Sequence, residues 1–301
     1  MIKTYNLTKK FDDFTALSDV NCTIPKGCIY GMVGSNGAGK STFLRLITGI
    51  YKADSGKIFI DEMPLYENPA IKKKLCYVPD DLYFLPNANM NRMAEFYSAI
   101  YETFDMERFE TLTKQFNLNP KKNINSFSKG MKRQVAIILT LSAKPEYMFF
   151  DETFDGLDPV MRNLVKSLIC QDVFDNKATA FITSHSLREL EDICDQLALL
   201  HKGGLVLEND ISNLKTNQFK IQFAKSEEYT PEIFAPLELE ISNLKKTGSV
   251  TNMIVHGSYD DTVKKLNTLN PLLVEALPLT LEEIFKCEMA TLGYTFEDEI
   301  V

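Results

Sequence analysis

Gly34-Ser35-Asn36-Gly37-Ala38-Gly39-Lys40-Ser41 is the stretch on which the reading of this chain turns. It fits G-x-x-x-x-G-K-[ST] with a third glycine inside, a loop whose successive backbone N–H groups must approach phosphate oxygens too closely for side chains to intervene. At average composition the four fixed positions arise by chance in roughly one of a hundred chains of this length. The flanks narrow that further. An apolar run from Cys28 to Val33 leads into the loop, and from Thr42 to Ile47 the apolar residues take helical spacing. Strand, loop and helix therefore follow in the order that aims a helix N-terminus at an anion. The loop together with Thr42 is the expected cradle for ATP, with Lys40 neutralising the β- and γ-phosphates and the Ser41 hydroxyl ligating Mg²⁺. A plain glycine-rich turn would not account for the flanking elements.

Downstream, Tyr147-Met148-Phe149-Phe150-Asp151-Glu152 is an apolar strand that ends in two acids. Acid pairs at strand ends are often only solvated surface, but beside a phosphate loop a carboxylate can hold the magnesium shell, which is assigned to Asp151. Glu152 is then free to orient and deprotonate the attacking water as general base. His185 follows the strand that ends Ala180-Phe181-Ile182-Thr183 and opens a Ser186 to Glu191 helix. A lone histidine is more often structural, yet at this place it is the better candidate for a group that senses the γ-phosphate.

Lys57–Ile60 and Leu75–Val78 read as further strands, and strand-like runs at Tyr147–Phe150, Ala178–Ile182 and Leu197–Leu200 alternate with helical patterns, which predicts an α/β P-loop NTPase with a parallel sheet. Met90, Met93, Phe96, Tyr97, Ile100 and Tyr101 fall at helical spacing, so residues 85–145 are expected to form a mainly helical insertion. Lys202-Gly203-Gly204 predicts a hairpin turn that closes an ATPase domain over residues 1–210, with a polar linker at Asn209–Gln218. Residues 211–301 are expected to be a small α/β appendage, regulatory or dimerising. Its strands are predicted at Phe219–Phe223, Thr251–Val255 and Leu272–Leu277, and its helices at Asp260–Leu266 and Leu281–Met289, the latter opened by a Thr280/Glu283 capping box.

Phe127-Ser128-Lys129-Gly130-Met131, just before the acidic strand, resembles the L-S-G-G-Q signature of ABC ATPases. With the phosphate loop, Asp151-Glu152, Gly156-Leu157-Asp158 and His185 in that order, residues 1 to about 210 resemble an ABC nucleotide-binding domain, most of all the stand-alone ATPases of bacterial antibiotic and multidrug exporters. The resemblance implies a head-to-tail pair of such cassettes, a homodimer or heterodimer, sandwiching two ATP molecules. In it Ser128 and the Gly130 backbone touch the γ-phosphate held by the partner's Lys40, and Asp158 lies at the seam. It also places Phe11 against adenine, although core packing explains Phe11 equally well from the residues alone. Two positions depart from the family pattern: Lys129 replaces the signature's first glycine, and Asp80 replaces the glutamine expected after Tyr77-Val78-Pro79. Asp80 is accordingly a third candidate beside magnesium.

Composition sets limits around this picture. A net charge of −8 argues against sequence-independent binding to nucleic acid. No run approaches the roughly 18 to 20 apolar residues that cross a bilayer, so any transport pathway is expected in a separately encoded membrane permease. The first ten residues lack the apolar centre of a signal peptide, which predicts a cytoplasmic protein held at the inner face of the membrane through that permease. The six cysteines, at 22, 28, 76, 170, 194 and 287, form no C-x-x-C pair and read as reduced thiols. Two other functions stand beside transport: an ABC protein acting on ribosomes or DNA, which typically shows paired cassettes or a coiled-coil insertion absent here, and an ATP-gated module whose turnover is abolished by Asp80 and Lys129.

Overall fold

A computed structural model describes residues 1–210, 218–277, 279–280 and 282–285. The chain divides into two compact units, Met1–Glu208 and Asn209–Val301.

The first unit is built on a six-stranded sheet. In chain order its strands are β3 (Ile29–Val33), β6 (Leu75–Val78), β7 (Tyr147–Asp151), β8 (Thr179–Ser184), β9 (Gln196–His201) and β10 (Gly204–Asp210), arranged β10-β9-β3-β8-β7-β6. The β6–β7, β7–β8, β8–β3 and β3–β9 pairs are parallel. Every residue of β3, β7 and β8 is buried, which is why their sequences are continuous apolar runs rather than alternating ones. Helix α1 (Lys40–Ile47) follows β3 and lays Phe43 on Phe181 of β8, with ring centroids 5.8 Å apart; Tyr30 of β3 stacks on the same ring at 5.2 Å. These contacts seat α1 against the sheet, while its N-terminus, reached by the loop after β3, lies at the carboxyl ends of the parallel strands, the edge where open α/β sheets bind ligands.

A second, antiparallel sheet of β1 (Ile2–Phe11), β2 (Phe14–Ile24), β4 (Ser55–Ile60) and β5 (Met63–Pro64) runs in the order β2-β1-β4-β5. Between β6 and β7 lie α3 (Met90–Ile100), α4 (Met106–Gln115), a 3₁₀ turn at Ile124–Ser126 and α5 (Lys129–Ala143), preceded by the short α2 (Pro69–Lys72). Asn89, Asp105 and Ser128 accept backbone N–H bonds as N-caps of α3, α4 and α5. Helix α6 (Pro159–Asn176) starts with Asp158 as cap and proline at its first position, and α7 (Leu187–Glu191) follows β8. Arg108 of α4 reaches Asp172 of α6 at 2.5 Å. Lys202 (φ 46°) and Gly203 (φ 79°) make the two-residue turn between β9 and β10.

The second unit carries β11 (Gln218–Ala224), a 3₁₀ segment (Pro231–Leu237), β12 (Glu240–Thr247), β13 (Val250–His256), α8 (Tyr259–Asn267) and β14 (Leu273–Leu277). Its sheet is wholly antiparallel in the order β12-β13-β11-β14, the arrangement of a ferredoxin-like split βαβ. Ile221, Phe223, Met253, Val255 and Leu266 form its core with Tyr229 and Phe234. Residues 282–285 are helical, and the capping box is present: Thr280 Oγ1 accepts from the Glu283 N–H at 3.2 Å while the Glu283 carboxylate accepts from the Thr280 N–H at 3.2 Å. The rest of the helix expected over Leu281–Met289, most of the Asn209–Gln218 linker and Cys287 lie outside the described residues. Cys22, Cys28, Cys76, Cys170 and Cys194 are free thiols.

Candidate active site

The loop from Gly34 to Gly39 is shaped by its glycines. A Cβ at Gly34 would stand 2.4 Å from the Leu200 carbonyl oxygen, and Gly39, at φ 109°, holds the turn into α1. Inside the loop the Ala38 N–H donates to the Ser35 carbonyl at 3.1 Å, while Asn36 and Gly37 are exposed. Lys40 is buried. Its ammonium donates to the Gly34 carbonyl at 2.6 Å and the Ser35 carbonyl at 3.2 Å, and lies 3.2 Å from Glu152 Oε1. Thr42 follows in the first turn of α1, partly buried.

Strand register brings the acids to this loop. Val33 at the end of β3 pairs with Ser184 of β8, and Thr183 pairs with Asp151 of β7, so three strand ends converge. Asp151 is 1% exposed and accepts three hydroxyl hydrogen bonds: from Ser41 Oγ at 3.0 Å and Thr183 Oγ1 at 2.8 Å on one oxygen, and from Tyr77 at 3.1 Å on the other. Burial, and then the Asp151 charge, push the Tyr77 hydroxyl well above its ordinary pKa, so it stays protonated as a donor. Ser41 and Asp151 set two hard oxygen donors side by side, a donor set that suits Mg²⁺ completed by phosphate and water oxygens.

Glu152 adopts φ 47°, unusual for a side chain with a Cβ, and turns its carboxylate back between Lys40 and His185. Oε2 accepts from the His185 backbone N–H at 3.2 Å and lies 2.9 Å from His185 Nδ1. The hydrogen bond to Glu152 raises the His185 pKa against a smaller opposing effect of burial, which favours the imidazolium. Asp155 joins Glu152 and His185 in a group whose ligand-type atoms all lie within 4.8 Å. Lys40, Ser41, Asp151, Glu152 and His185, expected from separate parts of the sequence, thus meet at one place.

Asp80 has a guanidinium partner: its carboxylate lies 2.6 Å from Nη2 of Arg133 and 3.9 Å from Lys129 Nζ. A cation already bound to that oxygen competes with a second one. Ser128 and Gly130 sit elsewhere on the surface of the unit, at the N-terminus of α5, where Ser128 caps the helix and is exposed. Gly130 lies so close to Gly156 that an added Cβ would stand 2.6 Å from its carbonyl oxygen. Asp158 caps α6, accepting from Val160 and Met161 N–H groups at 3.0 Å each. Phe11 is 40% exposed and meets Tyr51 edge-on at 5.5 Å, so it is not a core residue. Tyr77, Thr183 and Arg133 are the site residues that sequence reasoning missed.

Residues 17–155 match the family described as ABC transporter. The chain is 32% identical over 285 residues to the ABC transporter ATP-binding protein YtrB of Bacillus subtilis, covering 95% of this chain and 97% of the relative. It is 27% identical over 292 residues to the bacitracin transport ATP-binding protein BcrA of Bacillus licheniformis, covering 94% of each. In fold it is similar to an ATP-binding cassette solved as a dimer in a post-hydrolysis state with ADP and Pi, at TM-score 0.63 and 22% identity over 70% of this chain and 99% of that one.

Proposed function

This chain belongs to the ABC transporter family as one of its ATP-binding, ATP-hydrolysing subunits, and from that premise we propose that it drives a separately encoded membrane permease, in the export direction, by ATP-dependent pairing of two such subunits. The convergence of Lys40, Ser41, Asp151, Glu152 and His185 at the strand ends carries this proposal. The loop from Gly34 to Gly39 wraps the phosphates with backbone N–H groups, and Lys40 exchanges its carbonyl and Glu152 contacts for β- and γ-phosphate oxygens. That exchange releases the Glu152 carboxylate. Ser41 and Asp151 are the residues that would hold Mg²⁺, whose chemistry there would be charge neutralisation on the transferred phosphoryl group.

Glu152 then accepts the proton of the attacking water, and protonated His185 stands beside it to stabilise the γ-phosphate charge. Ser128 and Gly130 are exposed or half-exposed at a helix N-terminus, free to meet the nucleotide held by a second subunit. The dimeric ADP-bound neighbour and the bacitracin transport relative support pairing and transport. Phe11, exposed beside Tyr51, is proposed to stack on adenine.

Among the described residues no helix is long and apolar enough to cross a membrane. The permease is proposed to dock at the junction after Asp80, where Tyr83 is 79% exposed among half-buried Leu82, Phe84 and Leu85. Docking there is proposed to hold the chain at the inner face of the cell membrane. A photo-crosslinking residue at position 83 in cells tests the proposal: capture of a multi-span membrane protein is expected, and capture of ribosomal proteins or nucleic acid alone would overturn it.

A further inference from the structure

Arg133 is the largest fully buried side chain of the described residues, at 0% exposure, and neither the phosphate loop nor the acidic strand calls for it. It lies in the first turns of α5, the helix that Ser128 caps. Its Nη1 donates to the backbone carbonyl of Glu152, and its Nη2 donates to the Asp80 carbonyl at 2.9 Å and to the Asp80 carboxylate at 2.6 Å. Its Nε is buried without a hydrogen-bond partner, so the side chain is held for what its two terminal nitrogens do. One planar fork therefore joins α5, the segment after β6 and the turn that carries Glu152.

That turn needs an external hold. At φ 47° Glu152 takes a left-handed conformation that persists only where its surroundings over-determine it. Thr183 Oγ1 accepts the Glu152 N–H at 3.1 Å on one side, and Arg133 grips its carbonyl on the other. A guanidinium taken out of water requires a counter-charge, and the half-exposed Asp80 is the carboxylate that supplies it. The acid that departs from the family pattern at position 80 is thereby explained by position 133.

We propose that Asp80 and Arg133 act as a positioning pair that sets the direction of Glu152 and ties it to α5, so that displacement of the signature-bearing helix changes the aim of the general base. The pair acts through the Glu152 backbone, and it rests on Glu152 being the base. Loss of the Asp80 charge leaves the Arg133 fork uncompensated and free to shift, while Ser41 and Asp151 keep their own contacts.

Steady-state ATP hydrolysis by the full-length chain tests this, with Asp80→Asn as the principal variant because Asp80 is half exposed and asparagine keeps its shape while removing its charge. Its kcat is expected to fall about tenfold, the scale of a sub-ångström misplacement, with the KM for ATP and the half-saturating Mg²⁺ concentration unchanged. Arg133→Gln should fall comparably, and the double variant no further than the lower single one. An unchanged kcat in Asp80→Asn, additive losses in the double variant, or recovery on raising Mg²⁺ would each overturn the pair, the last by making Asp80 a metal ligand. If Arg133→Gln does not fold, Asp80→Asn alone decides. Wild-type turnover in Glu152→Gln would remove the base assignment itself, whereas an inactive Glu152→Gln beside a wild-type Asp80→Asn would remove the positioning pair and leave the base in place.

Discussion

Replacing Thr183 by valine keeps the shape of a 0% exposed side chain and removes one oxygen that does two jobs. Thr183 Oγ1 donates to Asp151 at 2.8 Å and accepts from the Glu152 N–H at 3.1 Å. A hydrogen bond to an ionised acceptor contributes about 1.5–3 kcal/mol, and a buried N–H left unpaired costs about 1–3 kcal/mol. Ser41 and Tyr77 still donate to Asp151, which places the loss toward the low end, at about 3 kcal/mol in total. For a unit of this size each kcal/mol moves the midpoint by about 2–4 °C, so Thr183→Val should unfold roughly 9 °C lower. Thr183→Ser, which keeps the hydroxyl and loses only a methyl group, should lose about 1 kcal/mol. Thermal unfolding followed by circular dichroism compares the two. If valine is as stable as wild type, or serine is the worse of the pair, the hydroxyl is not what holds the acids in place.

Arg108→Met removes the partner of Asp172, which is 3% exposed and whose pKa burial raises against the opposing pull of Arg108; about 3 kcal/mol of stability should be lost, and Arg108→Met/Asp172→Leu should recover much of it by urea unfolding. Gly130→Ala drives a Cβ to 2.6 Å from the Gly156 carbonyl oxygen, so the signature turn must move by about 0.7 Å; turnover should fall about tenfold to a hundredfold while nucleotide affinity stays near wild type in a binding titration. Because Glu152 holds the folded His185 pKa above 6.5, the stability this contributes is fully present below about pH 6.5 and lost as pH rises through the folded value. The stability difference between wild type and His185→Gln should therefore shrink from pH 6 to pH 8, and a constant difference would deny the charge coupling.

The parallel core was legible because its strands are buried on both faces, which writes continuous apolar runs such as Tyr147–Phe150 into the sequence. Of the antiparallel sheet only Lys57–Ile60, within β4, was legible as a strand. Met1–Lys10 alternates polar and apolar types, but β1 is broken at Asn6, φ 50°, where the register with β2 shifts, so that alternation alone did not mark a strand. β12 is an edge strand whose Asn243, Lys245 and Lys246 read as loop, although such charge is what protects an exposed edge. The site residues with intrinsic chemistry, Lys40, Asp151 and Glu152, announce themselves by type and place. Thr183 and Tyr77 act only through register, which carries β8 and β6 to either side of Asp151, and no local pattern encodes that. Arg133 is hidden for another reason: on a helix surface an arginine is ordinary, and only its burial reveals that it grips Glu152 and Asp80.

Single-turnover release of phosphate from γ-labelled ATP, with enzyme in excess and nucleotide binding measured on the same samples, bears most directly on the claim that Glu152 is the base of an ATPase whose phosphate loop is centred on Lys40. Wild type should release phosphate, and Glu152→Gln should bind MgATP with comparable affinity while releasing it about 10² to 10⁴-fold more slowly. Release from Glu152→Gln at the wild-type rate, with ATP still bound, would contradict the account.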